Sequence, residues 1–128
     1  RRMIGYVPEN VRLYDTLTAR ENLLFFARLS RVDEPERRVE EVLDFLDCSA
    51  LASKRVGDFS KGMRQRIGLA QAILHRPDVL FLDEPSSGLD PAEFRSTYDN
   101  IYEYAPDQRD CKDLHVYRRA EPGNAGVP

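Results

Sequence analysis

The stretch FLDEPSSGLDP, residues 81–91, limits the possible folds more than any other part of the chain. With Val79 and Leu80 before it, it reads as an apolar run of strand length, too short for a buried helix, which breaks at once into Pro, Ser and Gly. A continuous apolar strand is buried on both faces, as in the parallel sheets of α/β folds. Two adjacent carboxylates, Asp83 and Glu84, close it. Burying an unpaired carboxylate is costly, so the pair must meet cations or water where the strand ends. In α/β folds that end opens into the ligand crevice. Asp83 can there hold Mg²⁺ directly or through water, and Glu84, one residue on, can accept a proton from a water attacking a phosphate. An acid pair can equally do no more than solvate a strand end.

Patterns elsewhere supply the elements around that strand. Residues 3–7, MIGYV, form a short apolar run stopped by Pro8, which predicts a strand entering a loop. Thr18 and Glu21 have capping-box spacing ahead of ENLLFFARLS, a partly buried helix. Pro35 opens a second helix in which Val39, Val42, Leu43 and Leu46 share one face. A third begins near Ser60, carries Met63, Ile67, Ala70 and Leu74 on one side, and stops before HRPD, where Pro77 disfavours helix. After Pro91, Phe94, Tyr98, Ile101 and Tyr102 keep helical spacing. Beyond Pro106 the periodicity is lost, and AEPGNAGVP has the composition of a disordered tail. There is no internal repeat.

The 128 residues are enough for one domain with a core, and a net charge of −3 with both signs abundant predicts no nucleic-acid partner. No apolar stretch approaches the roughly 20 residues that span a bilayer, and none has signal-peptide form. A cytoplasmic chain is the expectation. Cys48, Cys111, His75 and His115 are scattered without metal-ligand spacing, which predicts reduced, structural thiols.

The stretch FSKGMRQR adds a second element of chemistry. Ser60 at the first turn of a helix, followed by Gly62, offers a hydroxyl and free backbone N–H groups at the positive end of the helix dipole, which suits a phosphate. A Ser N-cap also occurs with no ligand at all. The order of the motifs goes further than either alone. Residues 59–91, FSKGMRQRIGLAQAILHRPDVLFLDEPSSGLDP, resemble the signature-helix, Walker B and D-loop block of ABC-type ATPases, the nucleotide-binding subunits of ABC transporters. IGYVPENVRLYDTLTARENL upstream resembles that family's passage from the Q-loop into its helical subdomain. The resemblance covers residues 3–91, in family order and spacing.

It implies an α/β fold: a partial P-loop NTPase of the ABC ATPase kind, with the helical subdomain at about 10–58 and the signature helix to D-loop at 59–91. Residues 92–128 are then a divergent C-terminal segment with a disordered tail. The cofactors implied are ATP and Mg²⁺. By resemblance Asp83 orients the metal, and Glu84 polarises the attacking water. Ser60, Lys61, Gly62 and Met63 contact the γ-phosphate of an ATP held by the opposite subunit of a head-to-tail dimer. Asp90 is the D-loop acid, and Glu9 stands in the Q-loop, where many relatives carry Gln. A transmembrane permease is the other implied partner, so the subunit is peripheral to the membrane. Lys61 and Met63 replace the common Gly and Gln of the signature, which with GYVPEN resembles the exporter branch that includes drug, sodium and copper-related systems.

Two features of that family are missing from these residues. No G-x-x-x-x-G-K-[ST] occurs, and KDLHVYRRA lacks the apolar approach of a switch His, so His115 receives no role. The expectation is a fragment of a transporter ATPase, inactive as an isolated chain and prone to expose apolar sheet edges. The alternatives are a non-catalytic remnant or assembly module, and a soluble ABC ATPase outside transport.

Overall fold

A computed structural model of the chain describes residues 4–85, 89–98, 107–111 and 114–118. The first strand, β1 (Ile4–Val7), leads through an irregular loop to α1 (Ala19–Leu29) and α2 (Pro35–Phe45). Two 3₁₀ turns, Ser49–Leu51 and Val56–Asp58, precede α3 (Lys61–Ile73), β2 (Val79–Asp83) and α4 (Pro91–Tyr98). Two further strands follow, β3 (Asp107–Cys111) and β4 (Leu114–Arg118). The sheet order is β1-β2-β4-β3, with β1 parallel to β2 and the remaining pairs antiparallel. No helix among the described residues is long and apolar enough to cross a membrane.

Local chemistry sets each helix. Thr18 and Glu21 form the expected reciprocal box: the Glu21 N–H donates to the Thr18 hydroxyl at 3.1 Å, and the Thr18 N–H to the Glu21 carboxylate at 2.8 Å. Ala19, Leu23 and Ala27 then recur every four residues as the buried side of α1. At α2, Glu34 sits in the left-handed region, with φ of 48°, and Pro35 supplies the helical φ of the first turn. Val39, Val42, Leu43 and Leu46 are buried as their spacing requires. Ser60 caps α3, its hydroxyl accepting from the Met63 N–H at 3.2 Å.

A charge in the core closes the other end of α3. Arg38 of α2 is buried, and its guanidinium donates to the carbonyls of Ile73 and Leu74, each at 2.8 Å. Those are among the carbonyls that a helix terminus leaves without intrahelical partners. Glu41 lies 3.5 Å from the same guanidinium and offsets its charge. Helix α3 also meets the sheet closely at Gly5, where a Cβ would lie 2.6 Å from the Ala72 carbonyl oxygen. The core therefore fills the space between the helices and one sheet face, where Val7, Leu80 and Leu82 are buried.

Two findings differ from the sequence reading. Strand β2 is not buried on both faces: Leu80 and Leu82 are inside, while Val79, Phe81 and Asp83 are half-buried. Among the described residues the helices cover only one side of β1 and β2, which leaves Ile4 and Tyr6 exposed on the other. Where lost periodicity beyond Pro106 predicted no strand, β3 and β4 pair with each other, and β4 pairs with β2. Backbone groups on the edge of β2 bond to any extended segment, whatever its apolar pattern. His115 lies opposite Leu82 in that antiparallel register. Ile101, Tyr102 and the tail expected at 120–128 fall outside the described residues.

Candidate phosphate and magnesium site

The candidate residues fall into two groups. The first stands at the end of the parallel pair. Because Val7 is in register with Leu82, the C-terminal ends of β1 and β2 lie side by side, and Glu9 and the Asp83 and Glu84 pair follow at the same end of the sheet. Asp83 and Glu84 are half-buried, and Glu84 has a left-handed φ of 46°, so the chain turns sharply as it leaves the strand. The Tyr6 hydroxyl donates to Asp83 Oδ2 at 3.2 Å. Partial desolvation, then the bond to Asp83 and its charge, raise the Tyr6 phenol above its ordinary value.

The second group surrounds the N-terminus of α3. Its approach is fixed by main-chain bonds: the Val56 N–H donates to the Leu17 carbonyl and the Gly57 N–H to the Asp15 carbonyl, both at 3.0 Å. Arg64, one turn into the helix, pairs with the Asp15 carboxylate at 2.9 Å. Ser60 is exposed, and Lys61, Gly62 and Met63 are half-buried, so the first turn reaches solvent. A cavity of about 450 Å³ opens beside it, bounded by Cys48, Leu51, Ser60, Met63, Arg66 and Ser96. Burial pushes the Cys48 thiol up to about 11, opposed in part by Arg66, so this cysteine is a structural group.

The segment after β2 returns to that helix start. A Cβ on Gly62 would lie 3.5 Å from Leu89, Arg66 donates to the Ser96 hydroxyl, and Tyr98 donates to Gln65 at 3.2 Å within the core. Asp90 is exposed immediately before α4. The signature-like turn and the segment around Asp90 are thus neighbours. The two carboxylates stand instead at the sheet end with Tyr6 and Glu9. Sequence reasoning missed Tyr6, Gln65 and Leu89, because no local pattern shows that Tyr6 meets a carboxylate 77 positions away.

Hard oxygen donors at a strand end fit Mg²⁺, and a capped helix start open to solvent fits an anion. No cluster of three or more His, Cys, Asp or Glu able to hold a metal exists among the described residues. Mg²⁺ suits such a sparse protein contribution, since it usually keeps waters and takes its remaining ligands from phosphates.

The family model described as "ABC transporter" matches residues 1–87. The chain is 41% identical over 123 residues to the ABC transporter ATP-binding protein YxlF of Bacillus subtilis, covering 94% of this chain and 42% of that protein. It is 46% identical over 90 residues to the bacitracin transport ATP-binding protein BcrA of Bacillus licheniformis, covering 70% of this chain and 29% of that one. Among solved structures it resembles cbiO1 of Clostridium perfringens, part of the ABC transporter complex cbiONQ, with a TM-score of 0.72, 28% identity, and coverage of 80% and 42% of the two chains. The chain spans less than half the length of each of these relatives. Its fold is that of part of an ABC ATPase domain, and the chain belongs to the ABC transporter family.

Proposed function

We propose that this chain supplies the signature helix, the magnesium-orienting acid and the general base of an ATPase that drives transport, most closely of the exporter kind. The observation that carries this reading is the pairing of two open sites on one α/β frame: a Ser-capped helix start and a strand-end acid pair. Bound Mg²⁺ supplies charge neutralisation of the phosphates. Asp83 orients it, and Glu84, turned out of the strand by its left-handed backbone, accepts a proton from the water that attacks the γ-phosphate. Ser60 and the backbone N–H groups of Lys61 and Gly62 bind the γ-phosphate of an ATP seated on the opposite subunit of a head-to-tail dimer, with Met63, whose N–H bonds the Ser60 hydroxyl, completing the turn. Lys61 and Met63 in place of Gly and Gln leave those N–H donors intact.

Asp90, beside the signature turn, signals across the dimer, and Glu9 links the acid pair to a transmembrane permease. The region that meets the permease runs from Glu9 through α1 and α2 to Arg55, with the subunit cytoplasmic and peripheral. Residues 1–91 form the ATPase part in this reading, with the helical subdomain at about 10–58, and residues 92–128 are a divergent segment.

The 128 residues contain no phosphate-cradling G-x-x-x-x-G-K-[ST] sequence, so the chain by itself does not hold MgATP. Titration calorimetry of the purified chain is expected to give no measurable heat of binding. A micromolar dissociation constant would overturn this assignment, because ATP would then have a seat that these motifs do not provide.

A further inference from the structure

We propose that Tyr6 is a positioning residue for Asp83: its hydroxyl holds one carboxylate oxygen so that the other is presented to Mg²⁺. The proposal rests on the reading of Asp83 given above.

The sheet itself brings the two side chains together. Tyr6 is in parallel register with Phe81, and the two-residue period puts Ile4, Tyr6, Val79, Phe81 and Asp83 on one face. Gly5, Val7, Leu80 and Leu82 occupy the opposite face, the one packed on the helices. Core packing therefore does not account for Tyr6, which is 55% exposed. Its polar end does find a partner: the hydroxyl is 3.2 Å from Asp83 Oδ2. The phenol is the donor and the carboxylate the acceptor at neutral pH.

At 3.2 Å the contact is longer than the roughly 2.5–3.0 Å of a typical O–H···O bond, so it orients the carboxylate weakly and leaves it able to serve a cation. Both ends are anchored in adjacent, hydrogen-bonded strands, so the geometry belongs to the sheet. Outer partners of this kind fix the rotation of a ligating group, and their removal typically costs about 10- to 100-fold in metal affinity. Phenylalanine keeps the ring and deletes only the donor.

The test uses the full 128-residue chain with Mn²⁺ alone as a paramagnetic probe, read by NMR line broadening. In the unsubstituted chain, broadening is expected to centre on the amides of Asp83 and Glu84. Tyr6→Phe should raise the Mn²⁺ concentration for half-broadening by about tenfold or more, with an unchanged urea midpoint. The same Mn²⁺ dependence in both chains would overturn the role of Tyr6 while leaving Asp83 as the metal residue. Broadening centred elsewhere, or surviving Asp83→Asn unchanged, would overturn the metal reading of Asp83 and the proposal with it.

Discussion

Arg38 shows how a single side chain can decide the position of an element. Its guanidinium is buried and donates to two carbonyls at the end of α3, that of Ile73 also accepting from the Arg76 N–H at 3.1 Å. Arg38→Ala removes the donors and the packed aliphatic stem together, and should destabilise the chain by about 3 kcal/mol, measured by urea unfolding. A loss under about 1 kcal/mol would show that water and the Arg76 N–H suffice for those carbonyls. Cys48 gives the residue-scale dependence on pH. Its thiol is raised to about 11 by burial, above the roughly 8.5 of an exposed cysteine. The folded state therefore holds the proton more tightly, and the associated stability is present below about pH 8.5. It is lost progressively as pH rises from there to about 11, by on the order of 3 kcal/mol. Cys48→Ala should flatten that part of the stability profile, and an unchanged alkaline slope would contradict the assignment.

Elements governed by local chemistry were legible in the sequence. Thr18 with Glu21, Pro35 and Ser60 marked the starts of α1, α2 and α3, since caps depend on residues within one turn. Thr18→Ala should cost about 1 kcal/mol in chemical denaturation, and a neutral result would mean that the Ala19 and Arg20 bonds to Lys54 and Ala52 alone fix the start of α1. Strand environment was less legible. An unbroken apolar run such as VLFLD reads as buried on both faces, yet which face a helix covers is a tertiary fact. Strands β3 and β4 escaped because DQRDC has no apolar alternation and their pairing with β2 is non-local. The site divides in the same way: Ser60, Asp83 and Glu84 sit in contiguous motifs, whereas the contact of Tyr6 with Asp83 is made only by the sheet.

At the scale of the whole molecule, two candidate sites are joined by one helix and strand. Helix α3 starts at the Ser60 turn, ends on the carbonyls held by Arg38, and leads into the strand that carries Asp83. Gly5 allows β1 to close against that helix, and Leu89 brings the segment before α4 back over Gly62. Under the proposed function, each subunit of a dimeric ATPase serves its own ATP with the acid pair and its partner's with the signature turn. The proposed function assigns proton acceptance to Glu84, so the most direct measurement compares Glu84→Gln with the unsubstituted residue in an ATPase that joins this chain to both a P-loop segment and a switch-His segment. Turnover is expected to fall at least 100-fold while ATP affinity is retained, because the amide keeps the shape of the carboxylate and cannot accept the proton. Turnover that survives the substitution would contradict the account.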